Sequence, residues 1–216
     1  MYKNILFDLD GTLTDPKVGI TKCVAHALKY FGIEVEDTDT LCDFIGPPLS
    51  TMFAKCYGFD EGQCTKAIEV YRERFSTVGK FENTVYPYTE KILSMLKEKG
   101  VRLFVATSKP QKFAIEILEH FGLFHYFEKI RGIEMHEEKV EKDVIITRVM
   151  SEYNLSPADT VMVGDRCFDI DGAHKNGIKC IGVLFGYGSK EELDSHGADV
   201  IVDTNEDLFK YFGSIL

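Results

Sequence analysis

Two carboxylates stand one residue apart at Asp8 and Asp10, inside the run LFDLDGTLTD that covers residues 6–15. In extended backbone, residues i and i+2 project to the same side, so both acids are aimed at one point. Like charges that close either recruit a hard divalent cation or leave one neutral acid beside one ionised acid. A second acidic pair, Asp165 and Asp169, follows the apolar run that ends in Val163-Gly164, with Asp171 close behind. Positions four apart at the start of a helix share a face, so these two acids can bind one cation directly or through water. Asp171 reads instead as an acid placed for the helix dipole. Thr107-Ser108-Lys109-Pro110 follows the apolar run VRLFVA, and with proline in a first helical turn it predicts a hydroxyl and free backbone N–H groups facing outward, a plausible phosphate cradle. Lys139 and Lys142 precede a helical stretch, and lysine suits a role as a compact point charge against phosphate. One of the two is expected to enter the site, with Lys142 preferred.

The elements that must position these groups emerge from the hydrophobic pattern. Ile5, Leu6 and Phe7, broken by Gly11 and Thr12, predict a buried strand ending in a turn with the paired acids at its mouth. Residues 16–31 carry apolar side chains at helical spacing (Val18, Cys23, Ala27, Tyr30), with Gly32 as a stop. Helical pieces over 39–45, 49–57 and 60–75 are separated by Gly46-Pro47-Pro48 and by Gly58, and nothing there alternates like a strand. From Tyr86 onward the pattern changes. Helices over 89–99, 110–121, 143–153, 169–176, 191–196 and 206–212 alternate with strands over 101–106, 129–133, 160–163, 179–183 and 200–202. Alternating strands and helices predict an α/β fold, a doubly wound, Rossmann-like parallel sheet covered on both faces. Its core would be residues 1–15 and 82–216, with residues 16–81 an inserted small α-helical domain that leaves just after the paired acids and is therefore placed to cover them. Open sheets of this kind bind ligands at the carboxyl ends of their strands, where Asp8, Asp10, Thr107 and Asp165 all fall.

Composition limits the partners. A chain of 216 residues with 44% hydrophobic and 28% charged residues is long enough for one ample core with a smaller inserted unit. A formal net charge of -10 opposes a broad nucleic-acid or anionic-membrane surface, because counterion release needs basic stripes. With no basic-then-apolar leader and no 18-residue apolar run, the chain is expected to be cytoplasmic. Its six cysteines contain no C-x-x-C pair and should be reduced thiols, and a neighbouring acid disfavours the Cys167 thiolate as a nucleophile. The six histidines show no metal-ligand spacing. Residues 134–141, rich in Glu and Lys, read as a solvated loop.

Taken in order, these residues resemble the haloacid dehalogenase superfamily, in its phosphoglycolate phosphatase-like branch with a helical cap after the first strand. The resemblance rests on Asp8-Leu9-Asp10-Gly11-Thr12-Leu13-Thr14-Asp15 as DxDGTxxD, on strand-end Thr107-Ser108, and on Gly164-Asp165 with Asp169. It covers nearly the whole chain. The third motif, a lysine before a helix, aligns with either Lys142 or Lys139. The resemblance implies a magnesium-dependent phosphomonoesterase in which Asp8 is the nucleophile that forms an aspartyl-phosphate and Asp10 is the acid, then the base. It implies Mg2+ held by the Asp8 carboxylate, the Asp10 carbonyl and Asp165, with Asp169 directly or at one remove. Gly11, Thr107, Ser108 and the lysine would bind the phosphoryl oxygens. In the cap, Gly46, Pro47 and Pro48 resemble a specificity loop; members of the branch act on phosphoglycolate, pyrophosphate or nucleoside monophosphates, and no arginine beside this loop would grip a second carboxylate. An acid at Asp10 favours phosphoryl transfer over carbon–halogen cleavage. The expected partner is a small phosphorylated metabolite, and the expected assembly a monomer or weak homodimer. A β-phosphoglucomutase-like isomerase and a non-catalytic regulatory module on the same fold are the alternatives.

Overall fold

The computed structural model describes residues 2–135, 137 and 140–215. Strand β1, Asn4–Phe7, is fully buried, as its apolar composition requires. Short strands β2, Thr14–Asp15, and β3, Thr84–Val85, form a separate two-stranded sheet, too brief to show any periodicity in the sequence. Between them lie helices α1 (Lys17–Tyr30), α2 (Leu49–Tyr57) and α3 (Glu61–Phe75), with 3-10 turns at Thr38–Phe44 and Gly79–Phe81. The chain then alternates: α4 (Thr89–Glu98), β4 (Arg102–Pro110), α5 (Gln111–His120), β5 (Lys129–Ile133), α6 (Lys142–Tyr153), β6 (Thr160–Gly164), α7 (Cys167–Lys175), β7 (Lys179–Val183), α8 (Lys190–Ser195), β8 (Val200–Val202) and α9 (Asn205–Ile215).

The six long strands form one sheet in the order β5-β4-β1-β6-β7-β8, with every pairing parallel. This is the doubly wound α/β sheet that the alternation predicts. Leu6 lies in register with Phe104 and Met162, and these three pack with Ile145, Ile146, Val149 and Ile170 from α6 and α7 in one apolar cluster. Each such side chain contributes about 1.5–3 kcal/mol by leaving water. The sheet therefore holds β1 rigidly at its centre, which sets where the chain emerges beyond Phe7.

The chain divides into two compact units, one running to Asp15 and resuming at Val85, the other Pro16–Thr84. The second unit extends to Thr84 rather than residue 81 because Glu82 still belongs to it: its carbonyl accepts from the Gly19 N–H at 2.8 Å, and its carboxylate pairs with Arg74 at 2.6 Å and Lys22 at 3.1 Å. Its core is aromatic, with Phe53 stacked on Phe59 and edge-on to Phe44. Asp60 and Gln63 form a reciprocal capping box that starts α3.

Candidate active site

The ends of β1, β4 and β6 lie side by side, because Phe7 pairs with both Val105 and Val163. Asp8 continues the ladder, its N–H donating to the Val163 carbonyl at 2.9 Å, so the carboxylate emerges beside Gly164-Asp165. The chain then reverses over a buried Leu9, whose carbonyl accepts from Leu13 at 2.9 Å and Thr14 at 3.0 Å. Gly11, with φ of +84°, makes this turn possible. A Cβ there would lie 2.2 Å from Asp165 Oδ2, so glycine also permits the close approach of the turn to that carboxylate. The Gly11 N–H donates to the Thr14 carbonyl at 2.8 Å within the turn.

Asp8, Asp165 and Asp169 each present one carboxylate oxygen within a span of 4.8 Å. Lys142, the first residue of α6, reaches into this group, its Nζ 2.8 Å from Asp8 Oδ1 and 2.8 Å from Asp169 Oδ1. These two oxygens accept no well-directed hydrogen bond; the ammonium faces them as a charge. Lys139 lies outside the described residues. Asp169, in the first turn of α7, also accepts from the Arg166 N–H at 3.1 Å. Asp165 is held by Thr12 Oγ1 at 3.3 Å and by the Tyr187 N–H at 2.8 Å.

Burial dominates the electrostatics. It pushes the Asp165 carboxyl well above the ordinary range, and Asp169 and Asp8 push it further. Asp169 is raised by the same desolvation, opposed by Lys142. Asp10 is raised by burial, against the pull of Lys109. Burial alone would pull the Lys142 ammonium down, but Asp169 and Asp8 together carry it above its usual value. The Cys167 thiol is pushed up to about 12, first by burial and then by Glu192, so it is no nucleophile at neutral pH.

Two parts of the site differ from expectation or were not foreseen. Thr107 and Ser108 do not open a helix. Strand β4 runs on through Pro110, which has extended ψ of 127°, and α5 begins only at Gln111. Thr107 is buried and its Oγ1 accepts from the Lys109 N–H at 3.3 Å, so the segment offers hydroxyls at a strand end in place of a helix N-terminus. The unforeseen residues are Lys109, whose Nζ lies 2.6 Å from Asp10 Oδ2, and the loop after β7, where Gly186 and Gly188 allow the backbone against Asp165 and Tyr187 donates to it. A Cβ on Gly186 would meet Asp165 Cβ at 2.4 Å, and one on Gly188 the Asp165 carbonyl at 1.9 Å. The Tyr187 hydroxyl in turn donates to Asp15. The spacing G-x-G just past a strand end was the available signal for this loop. Gly46, Pro47 and Pro48 lie in the second unit, in the bend before α2, with Gly46 at φ of +104°.

A family model described as haloacid dehalogenase-like hydrolase matches residues 5–183, four-fifths of the chain, with Asp8, Asp10, Asp165 and Asp169 inside it. The chain belongs to this family. It is 45% identical over 195 residues to a protein of Pseudomonas aeruginosa named 5'-nucleotidase, with 90% of this chain and 88% of that one covered. It is 36% identical over 197 residues to a protein of Mycobacterium bovis named tyrosine-protein kinase PtkA, covering 91% and 67%. A crystal structure of a predicted phosphatase from Clostridium acetobutylicum superposes with a TM-score of 0.95 at 46% identity, with both chains fully covered. The chain is an enzyme of the phosphatase type within this family. No helix among the described residues is long and apolar enough to cross a membrane.

Proposed function

We propose that this haloacid dehalogenase-type phosphatase is a magnesium-dependent phosphomonoesterase that hydrolyses a small phosphorylated metabolite through an aspartyl-phosphate, with a 5'-nucleotidase-like substrate preferred. The observation that carries the reading is the convergence of Asp8, Asp165 and Asp169 within 4.8 Å around the Lys142 ammonium at the carboxyl edge of the sheet. The oxygens fit a hard divalent cation: they are carboxylates, they are buried, and burial raises the pKa of both Asp165 and Asp169. Asp8, Asp165 and Asp169 would hold it, together with the Asp10 carbonyl. Bound there, it would supply Lewis-acid stabilisation of phosphoryl charge.

The chain's own residues do the rest. Asp8 attacks phosphorus and is kept in line by Lys142, which also offsets charge on the equatorial oxygens. Asp10 gives its proton to the departing ester oxygen and later takes one from the water that opens the acyl-phosphate. The Thr107 and Ser108 hydroxyls, at the adjacent strand end, are positioned as phosphate donors. The Pro16–Thr84 unit is assigned substrate selection through the bend at Gly46, Pro47 and Pro48. We place the enzyme in the cytoplasm as a monomer or weak homodimer.

The kinase name of the mycobacterial relative favours one second reading, in which an acceptor hydroxyl replaces water and receives the phosphoryl group. Phosphate release across nucleoside 5'-monophosphates, glycolate phosphate, sugar phosphates and pyrophosphate, with and without a tyrosine peptide, decides between them. Nucleotide hydrolysis that needs Mg2+ and is lost by more than about 10⁴-fold in Asp8→Asn is the expected result. Turnover unchanged in Asp8→Asn sinks the aspartyl-phosphate, and phosphotyrosine formed without phosphate release sinks the hydrolase.

A further inference from the structure

Among the described residues, Lys109 forms a buried ion pair with Asp10 at this site, and the reaction scheme gives Lys109 no task. Lys109 Nζ lies 2.6 Å from Asp10 Oδ2, and the two side chains are 6% and 13% exposed. The other oxygen, Asp10 Oδ1, is buried and accepts no hydrogen bond. Lys109 lies where the β4 register against β5 shifts between Ala106 and Pro110, with its N–H donating to Thr107 Oγ1 at 3.3 Å and its side chain turned to Asp10. A carboxylate on a two-carbon side chain turns in a broad, two-fold torsional well, so an unpinned Asp10 would divide its time among several orientations.

The geometry points to Lys109 as the positioning residue of the leaving-group acid: by fixing Oδ2 it leaves Oδ1 as the oxygen that delivers the proton. This rests on Asp10 being that acid. As the Asp8 oxygen bonds to phosphorus and the bond from phosphorus to the ester oxygen breaks, the electron pair on the departing oxygen takes the proton from Oδ1. The products are a neutral alcohol and an Asp10 carboxylate still paired with Lys109. A lysine used only to grip phosphate would help every ester alike. A lysine that aims an acid helps most where the leaving group is a poor one, because alkoxides need the proton and stabilised phenolates barely do.

The test is therefore a ratio. kcat/KM is measured for an alkyl phosphate and for 4-nitrophenyl phosphate in the wild type, Lys109→Met, Lys109→Gln, Lys109→Arg and Asp10→Asn, with folding checked by circular dichroism. This quantity stops at leaving-group departure, so hydrolysis of the phosphoenzyme does not enter. Lys109→Met is expected to lose at least about tenfold more on the alkyl than on the aryl ester, with Lys109→Arg recovering part of the ratio; should the Met variant not fold, Lys109→Gln carries the same expectation. Equal losses on both esters, with weaker inhibition by inorganic phosphate, would assign Lys109 to phosphate binding and overturn the proposal. If Asp10→Asn shifts the ratio and the Lys109 variants do not, only the role of Lys109 falls. If Asp10→Asn leaves the ratio unmoved, the acid assignment falls and takes this proposal with it.

Discussion

Replacing Lys142 by methionine removes a buried cation from between two carboxylates while keeping most of its volume. Its Nζ sits 2.8 Å from one oxygen of Asp8 and 2.8 Å from one of Asp169, with the side chain 4% exposed. At an effective dielectric of about 20, each contact is an attraction of roughly 6 kcal/mol, offset by several kcal/mol of lost ammonium hydration. Breaking such a buried pair typically costs about 3–5 kcal/mol, because the uncompensated charges stay behind. For a domain of this size, that is a fall in Tm of about 6–20 °C. The folded pKa of Lys142 lies above its ordinary value, so its stabilisation is fully present below about pH 10 and unchanging across the neutral range. Thermal unfolding in chelator at pH 7.5 should therefore show the full deficit. Saturating Mg2+ should narrow the gap between variant and wild type, since a cation among Asp8, Asp165 and Asp169 replaces the missing charge. A Tm shift below about 2 °C in chelator, or a gap that Mg2+ does not change, would refute the claim that Lys142 balances these acids.

Two further outcomes can be checked with the same protein. Gly11→Ala should cost about 1–3 kcal/mol, from a left-handed backbone that alanine resists and a Cβ 2.2 Å from Asp165, and should weaken the Mg2+-induced rise in Tm; a melt and a Mg2+ response like the wild type's would count against it. In chelator, stability should fall as pH rises above about 4. Asp10, Asp165 and Asp169 all bind protons more tightly folded than unfolded, so the folded state holds more protons and loses its advantage as they leave. Denaturant titrations at pH 5 and pH 8 read this directly, and a slope of opposite sign would show that these acids are not desolvated as described.

The parallel sheet was legible because β1, β7 and β8 are short, mostly apolar runs between clear breakers, and strands β5, β7 and β8 fall where the pattern puts them. The end of β4 was not. Proline's fixed φ suits both the first turn of a helix and an extended segment, and only ψ, set here by pairing with Ile133, separates them. That one ambiguity also hid Lys109, since a lysine at an expected helix start defaults to solvent, whereas this one lies in an irregular strand end and turns inward to Asp10. The acids were readable from strand-end position. The Gly186–Gly188 loop was not, because its partner, Asp165, lies more than twenty residues away in sequence and is brought close only by the sheet.

The position of β1 has a consequence for how the protein is made. Its neighbours in the sheet begin at Arg102 and Thr160, so β1 must wait for segments far downstream before both its edges are paired. Until then Asn4–Phe7 is an apolar edge with unmet backbone donors, and parallel closure over such separations is slow. Asp8 and Tyr187, whose N–H donates to Asp165 at 2.8 Å, are far apart along the chain, so the site forms only once distant segments have met. A chain that stops before residue 184 carries Asp8, Asp10, Asp165 and Asp169 but lacks the Gly186–Gly188 loop that packs against Asp165.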